Sequence, residues 1–112
     1  MKYLLLVILL LAVLYMISCD LKKNELSALP DDAYLVDVRT TKEFEGGSVP
    51  NAINIPLDQV AASIDKFKNK ENIVVFCRSG NRSGKAKKIL EANGIGNVTN
   101  GGSWKSVLEL TQ

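Results

Sequence analysis

Ile73-Val74-Val75-Phe76 is an unbroken run of apolar strand-formers inside a chain that is otherwise well supplied with charge. A strand with no polar residue has no face for water, so it belongs in a parallel sheet covered by helices on both sides. The rest of the chain supplies such a sheet. Tyr34 to Val38 reads as a second buried strand, Ala52 to Ile55 as a short one, and Val98 to Asn100 as another. Helical patterns lie between them. Thr40-Thr41-Lys42-Glu43 has capping-box spacing, and Leu57, Val60, Ala61 and Ile64 repeat at helical intervals. Ala86, Ile89 and Leu90 repeat likewise, with Gly94 as a stop and Ile95 available for the closing contact. Ser103 can cap a last helix that turns Trp104, Val107 and Leu108 inward. This alternation predicts an α/β fold with a mostly parallel sheet and helices on both faces. It does not give the strand order.

Cys77-Arg78-Ser79-Gly80-Asn81-Arg82 follows the apolar run and leads into a helical pattern near Ser83. A cysteine there meets free main-chain N–H groups and the positive end of a helix dipole. Two flanking arginines add to the same effect, and thiolate is the nucleophilic form. The alternative is a small core thiol, since free cysteine packs as a hydrophobe; Arg-Ser-Gly-Asn-Arg is a poor continuation for one. Main-chain amides curled around one point bind anions, and Gly80 allows close approach or positive φ. Four residues separate Cys77 from Arg82, one fewer than in the phosphate-sized loop of protein tyrosine phosphatases. The tighter ring suits a cysteine carrying one extra sulfur atom. Such sites form beyond the carboxyl ends of the strands, and transfer through Cys77 requires its sulfur to reach solvent.

The C-x-x-G-x-R loop resembles the active-site loop of the rhodanese family of sulfurtransferases. Three further segments are similar to that family in the same order. Leu35-Val36-Asp37-Val38-Arg39 with Glu43-Phe44-Glu45-Gly46-Gly47 matches its first strand and following helix. Val49-Pro50-Asn51-Ala52-Ile53-Asn54-Ile55-Pro56-Leu57 matches a segment usually written H-I-P-G-A-I-N-I-P-L, and Asn97 to Trp104 matches its glycine-glycine turn and tryptophan. The resemblance runs from about Glu25 to the C-terminus and points to the small single-domain bacterial type, the periplasmic phage-shock rhodaneses. Ser48 stands where a histidine is common and Asn51 where a glycine is, and Asn tolerates the left-handed conformation that such a turn needs.

The resemblance implies an open five-stranded sheet over residues 25–112 and a sulfurtransferase without a cofactor. It implies Cys77 as the catalytic nucleophile and Arg78, Ser79, Gly80, Asn81 and Arg82 as the substrate-binding loop. By the strand-end rule the end of the Val98 strand, with Asn100, Gly101 and Gly102, would form a neighbouring wall, and the resemblance permits Trp104, otherwise a core residue, to border the pocket. The partners would be a small anionic sulfur donor such as thiosulfate and a thiol or cyanide acceptor. Asp37 and Arg39 are read as a structural pair. Two other readings stay open: a non-catalytic rhodanese-like binding module at a membrane, and an arsenate reductase or phosphatase on the same fold. A mechanism with a histidine base is excluded, because the chain has no histidine. With it goes any histidine metal site.

The amino end points to a membrane. After Met1-Lys2, the run Tyr3 to Ile17 is apolar throughout. As a helix at ~1.5 Å per residue it would span about 22 Å, short of a ~30 Å hydrocarbon core, which suits a secretory signal. Met16-Ile17-Ser18-Cys19 resembles a bacterial lipobox, giving a signal at 1–18, a lipidated Cys19 and a tether over 19–24. An uncleaved anchor helix and free secretion are the alternatives. All three put the domain on the extracytoplasmic side, in the cell envelope. Cys77 then has no partner within the chain, and an unpaired thiol in an exported protein marks reactivity. The formal charge is only +2, so bulk charge implies no nucleic-acid partner. Between Glu71 and Glu91, however, every charge is positive, which favours encounter with a small anion.

Overall fold

A computed structural model describes residues 2–22 and 26–112, the side chains of residues 17–22 excepted. Helix α1 (Lys2–Lys22) comes first. It is apolar all round, and its large side chains from Tyr3 to Met16 stand 50–77% exposed. Among the described residues no helix is long and apolar enough to cross a membrane. The backbone at Cys19 is helical; its side chain, and the end of the expected tether, lie outside the described residues.

The domain follows in the order β1 (Tyr34–Asp37), α2 (Thr41–Glu45), β2 (Ile53–Asn54), α3 (Leu57–Val60), β3 (Ile73–Cys77), α4 (Asn81–Ala92), β4 (Val98–Ser103) and α5 (Trp104–Glu109). The sheet is wholly parallel, with strand order β2-β1-β3-β4. Strand β3 alternates as its composition requires. Ile73, Val75 and Cys77 join Val36, Phe67, Ala86 and Leu90 on one face. Val74 and Phe76 join Leu35, Val49 and Val107 on the other. Every β3 residue is buried.

The described residues form four strands where the resemblance implied five. Residues 26–33, ahead of β1, take no ladder position; Leu26, Leu29 and Ala33 instead pack against the second cluster as irregular chain. Pro30 has no N–H to give a neighbour, and its carbonyl closes a turn by accepting from Ala33 N–H at 3.1 Å. The helical repeat at Leu57–Ile64 also shortens: α3 gives way to a 3-10 segment, Ala61–Lys66, kinked at Ser63.

The element ends follow from their residues. Thr40 and Glu43 form the reciprocal capping box of α2. At the end of α4, Ile95 N–H donates to Leu90 O (2.9 Å) and Gly94 N–H to Glu91 O (3.1 Å). That is a Schellman motif, and Ile95 supplies its apolar contact. Ser103 caps α5 through Ser106 N–H, and Asn51 takes the left-handed turn at φ +67°.

Candidate active site

The chain leaves β1 toward β2 on one side and leaves β3 toward β4 on the other. The carboxyl ends of β1 and β3 therefore flank the crevice at which an open parallel sheet binds ligands. Cys77, the last residue of β3, stands at that point. Gly80 caps α4 at φ +93°, and a Cβ there would meet Gly102 Cα at 3.3 Å. With glycine at this position the loop folds back far enough to aim its amides at the sulfur. Cys77 Sγ accepts from Gly80 N–H at 3.0 Å and Ser83 N–H at 3.4 Å, with the Ser83 hydroxyl also 3.4 Å away.

The thiol is fully buried, at 0% exposure, whereas the sequence predicts a sulfur that meets solvent. The same amides that solvate it fold the loop over it. Burial pushes the thiol up. Hydrogen bonding with the Ser83 hydroxyl and from the N–H groups of Ser83, Ser79 and Gly80 outweighs that and leaves it below its ordinary value. The main-chain N–H groups that the sequence placed around the thiol thus lower it, joined by the Ser83 hydroxyl.

The two arginines part company. Arg82 is clasped by Glu43, Nη1 to Oε1 at 2.6 Å and Nη2 to Oε2 at 3.0 Å. That pairing holds the Glu43 carboxyl at about 2 and raises Arg82. Arg82 fixes α4 to α2, and its guanidinium is already committed. Arg78 is exposed and lines a cleft of about 330 Å3 with Arg39, Lys42, Gly47, Trp104 and Lys105. Ser79, Gly101 and Gly102 line a second cleft of about 220 Å3 with Asn100 and Ser103. Cys77 lines neither of the two, and Asn81 is exposed on the first turn of α4.

Asp37 and Arg39 pair with one another at 2.6 Å, both buried. Ser48 adds its hydroxyl to Asp37 at 2.7 Å, and Arg39 donates to Gly47 O and lies 4.8 Å over the Trp104 ring. This network is the floor under the Arg78 cleft.

Sequence reasoning put Asn100 in a neighbouring wall of the site but missed its hydrogen bonds to the loop, and it missed the second role of Glu43. The β3–β4 register slips by one residue, with Val75 opposite Asn100 and Phe76 opposite Gly102. Gly101 is the extra residue of a β-bulge, a device that re-aims side chains beside active sites. Asn100 thereby turns toward the loop. It donates to Gly80 O at 3.0 Å and accepts from Ser83 Oγ at 2.7 Å and Gly102 N–H at 3.0 Å. A polar residue closing a strand before Gly-Gly was the one available signal. For Glu43 there was none, since Arg82 is 39 residues away.

Comparison with known proteins gives a consistent picture. The family model for the rhodanese-like domain matches residues 22–108. A sulfurtransferase of Allochromatium vinosum is 34% identical over 62% of this chain and 65% of its own length; this chain thus spans less than two thirds of that relative. The thiosulfate sulfurtransferase PspE of Escherichia coli is 36% identical over 64% of this chain and 71% of its own. Among solved structures, a rhodanese with anions from E. coli superposes with a TM-score of 0.60 at 36% identity, over 66% of this chain and 89% of the other.

Proposed function

The chain belongs to the rhodanese-like domain family, and from that membership we propose that it is a thiosulfate sulfurtransferase working through a persulfide on Cys77. The observation that carries this reading is the sulfur itself: it ends a parallel strand, inside a four-residue loop whose amides already point at it. Cys77 thiolate attacks the outer sulfur of thiosulfate. The new S–S bond forms as the old one breaks, and sulfite leaves with the electron pair. An acceptor, cyanide or a thiolate, then attacks the outer sulfur of the persulfide and restores the thiolate. Loop N–H groups stabilise the negative outer sulfur in the manner of an oxyanion hole.

Arg78, exposed beside the Trp104 cleft, is the residue for the sulfonate; Arg82 holds the loop through Glu43. The closed sulfur must be uncovered for either step, so the loop parts at each encounter. The apolar surface of α1 supports attachment to an envelope membrane, through a lipid on Cys19 or through the helix itself.

The test is intact-mass measurement after incubation with thiosulfate. Cys77 should gain the mass of one sulfur atom and lose it to cyanide, and Cys77→Ser should gain none. An unmodified wild-type chain, with thiosulfate and persulfide donors alike, would overturn the reading.

A further inference from the structure

We propose that Ser83 and Asn100 form a positioning pair that competes with Cys77 for a single hydroxyl proton, so that the Ser83–Asn100 hydrogen bond and a thiolate-directed hydroxyl exclude each other. This rests on Cys77 as the sulfur-carrying nucleophile and adds what sets its ionisation.

The geometry fixes every donor. Gly80 O can only accept, so the Asn100 atom 3.0 Å from it is the amide nitrogen. Gly102 N–H can only donate, so the Asn100 atom 3.0 Å from it is the oxygen. Ser83 Oγ lies 2.7 Å from that same oxygen and must give it its only proton. Toward Cys77 Sγ, 3.4 Å away, the hydroxyl then shows lone pairs and can only accept from the S–H. When Cys77 ionises, those lone pairs face an anion. The hydroxyl relieves this by rotating its proton to sulfur, which abandons Asn100. Ser83 is fully buried, so water does not fill the gap. Asn100 keeps the Gly102 N–H, and the sulfur keeps the Gly80 and Ser83 amides.

No proton changes owner in this exchange; one O–H bond turns. Once Sγ carries a second sulfur its charge moves to the outer atom, and the hydroxyl returns to Asn100. The pair is therefore reset in every turnover. The charged groups around the site are Arg78 and Arg82 of the loop, Glu43 of α2 on Arg82, Asp37 of β1 on Arg39, and Lys105 of α5 at the Arg78 cleft.

The experiment is the pH titration of thiolate ultraviolet absorbance in the full chain, read as the difference from its Cys77→Ser variant so that Cys19 cancels, with the rate of alkylation of Cys77 by iodoacetamide, located by peptide mass, as a second readout. Ser83→Ala should raise the apparent pKa of Cys77 by about one unit, a tenfold loss of thiolate below it. Asn100→Ala should lower it, because the freed hydroxyl turns to sulfur. In the Ser83→Ala background the effect of Asn100→Ala should vanish, a non-additivity that a merely structural pair would not give. Asn100→Asp keeps the competing oxygen and serves if Asn100→Ala fails to fold; its pKa should rise, and rise less once Ser83 is alanine. A rise on Asn100→Ala, or Asn100 effects of equal size with and without the hydroxyl, would overturn the proposal. Neither readout uses a sulfur donor, so failure of sulfur uptake would be seen separately.

Discussion

A Cβ at Gly101 would stand 2.8 Å from Val107 Cγ2 and 2.9 Å from Val74 Cγ1, both buried. Gly101→Ala should therefore destabilise the fold by about 1–3 kcal/mol, the usual cost of overpacking, as measured by urea unfolding. Because the bulge aims Asn100, the same variant should also shift the Cys77 titration. Arg78→Ala is the contrasting case. The side chain is exposed and makes no ion pair among the described residues. It should raise the thiosulfate KM several-fold, with a melting temperature within a degree or so of wild type; equal loss of rate and stability would remove Arg78 from substrate binding. Cys77 was legible because few residue strings place a thiol between a buried strand and a basic helix start. For Arg82 the sequence could not show the partner that clasps it, because Glu43 is distant in sequence and already had a use as a helix cap.

The Glu43–Arg82 clasp joins α2 to α4, and its effect belongs to those elements. Helix α2 is five residues long with none buried, so it depends on its cap and on this contact for its position. The Glu43 carboxyl, at about 2 in the fold, sits below its unfolded value of about 4.3. The clasp therefore stabilises the fold at neutral pH, and that contribution disappears as pH falls from about 4.5 toward about 2. With both side chains near one third exposed, it contributes about 1 kcal/mol or less. Glu43→Gln should lose that much at pH 7 and nothing near pH 2, in denaturant titrations across the range. At this scale the sequence was a good guide where a local signal exists: the capping box, the Schellman end, the all-apolar β3. It failed where tertiary packing decides, at the kink at Ser63; its four strands are the four of the described residues, and the fifth came only from the resemblance.

For the whole molecule, the contrast is between a closed α/β domain and a helix with no core of its own. Between Tyr3 and Met16 the large side chains of α1 bury little against the domain. Full-length protein should float with phosphatidylcholine vesicles, and Leu9→Asp with Leu10→Asp should leave it in the aqueous fraction with sulfur transfer unchanged. Co-flotation of the doubly charged variant would show that the helix is not the anchor. The overall architecture could be read in advance because alternation of strand and helix leaves few folds; the order β2-β1-β3-β4 could not, because residue patterns do not record which strands are neighbours. The sealed sulfur has a kinetic consequence. A bulky thiol reagent can react only during openings of the Cys77 loop, so its rate should rise with concentration and then level off. That plateau would clock how often the gate swings, with no substrate present.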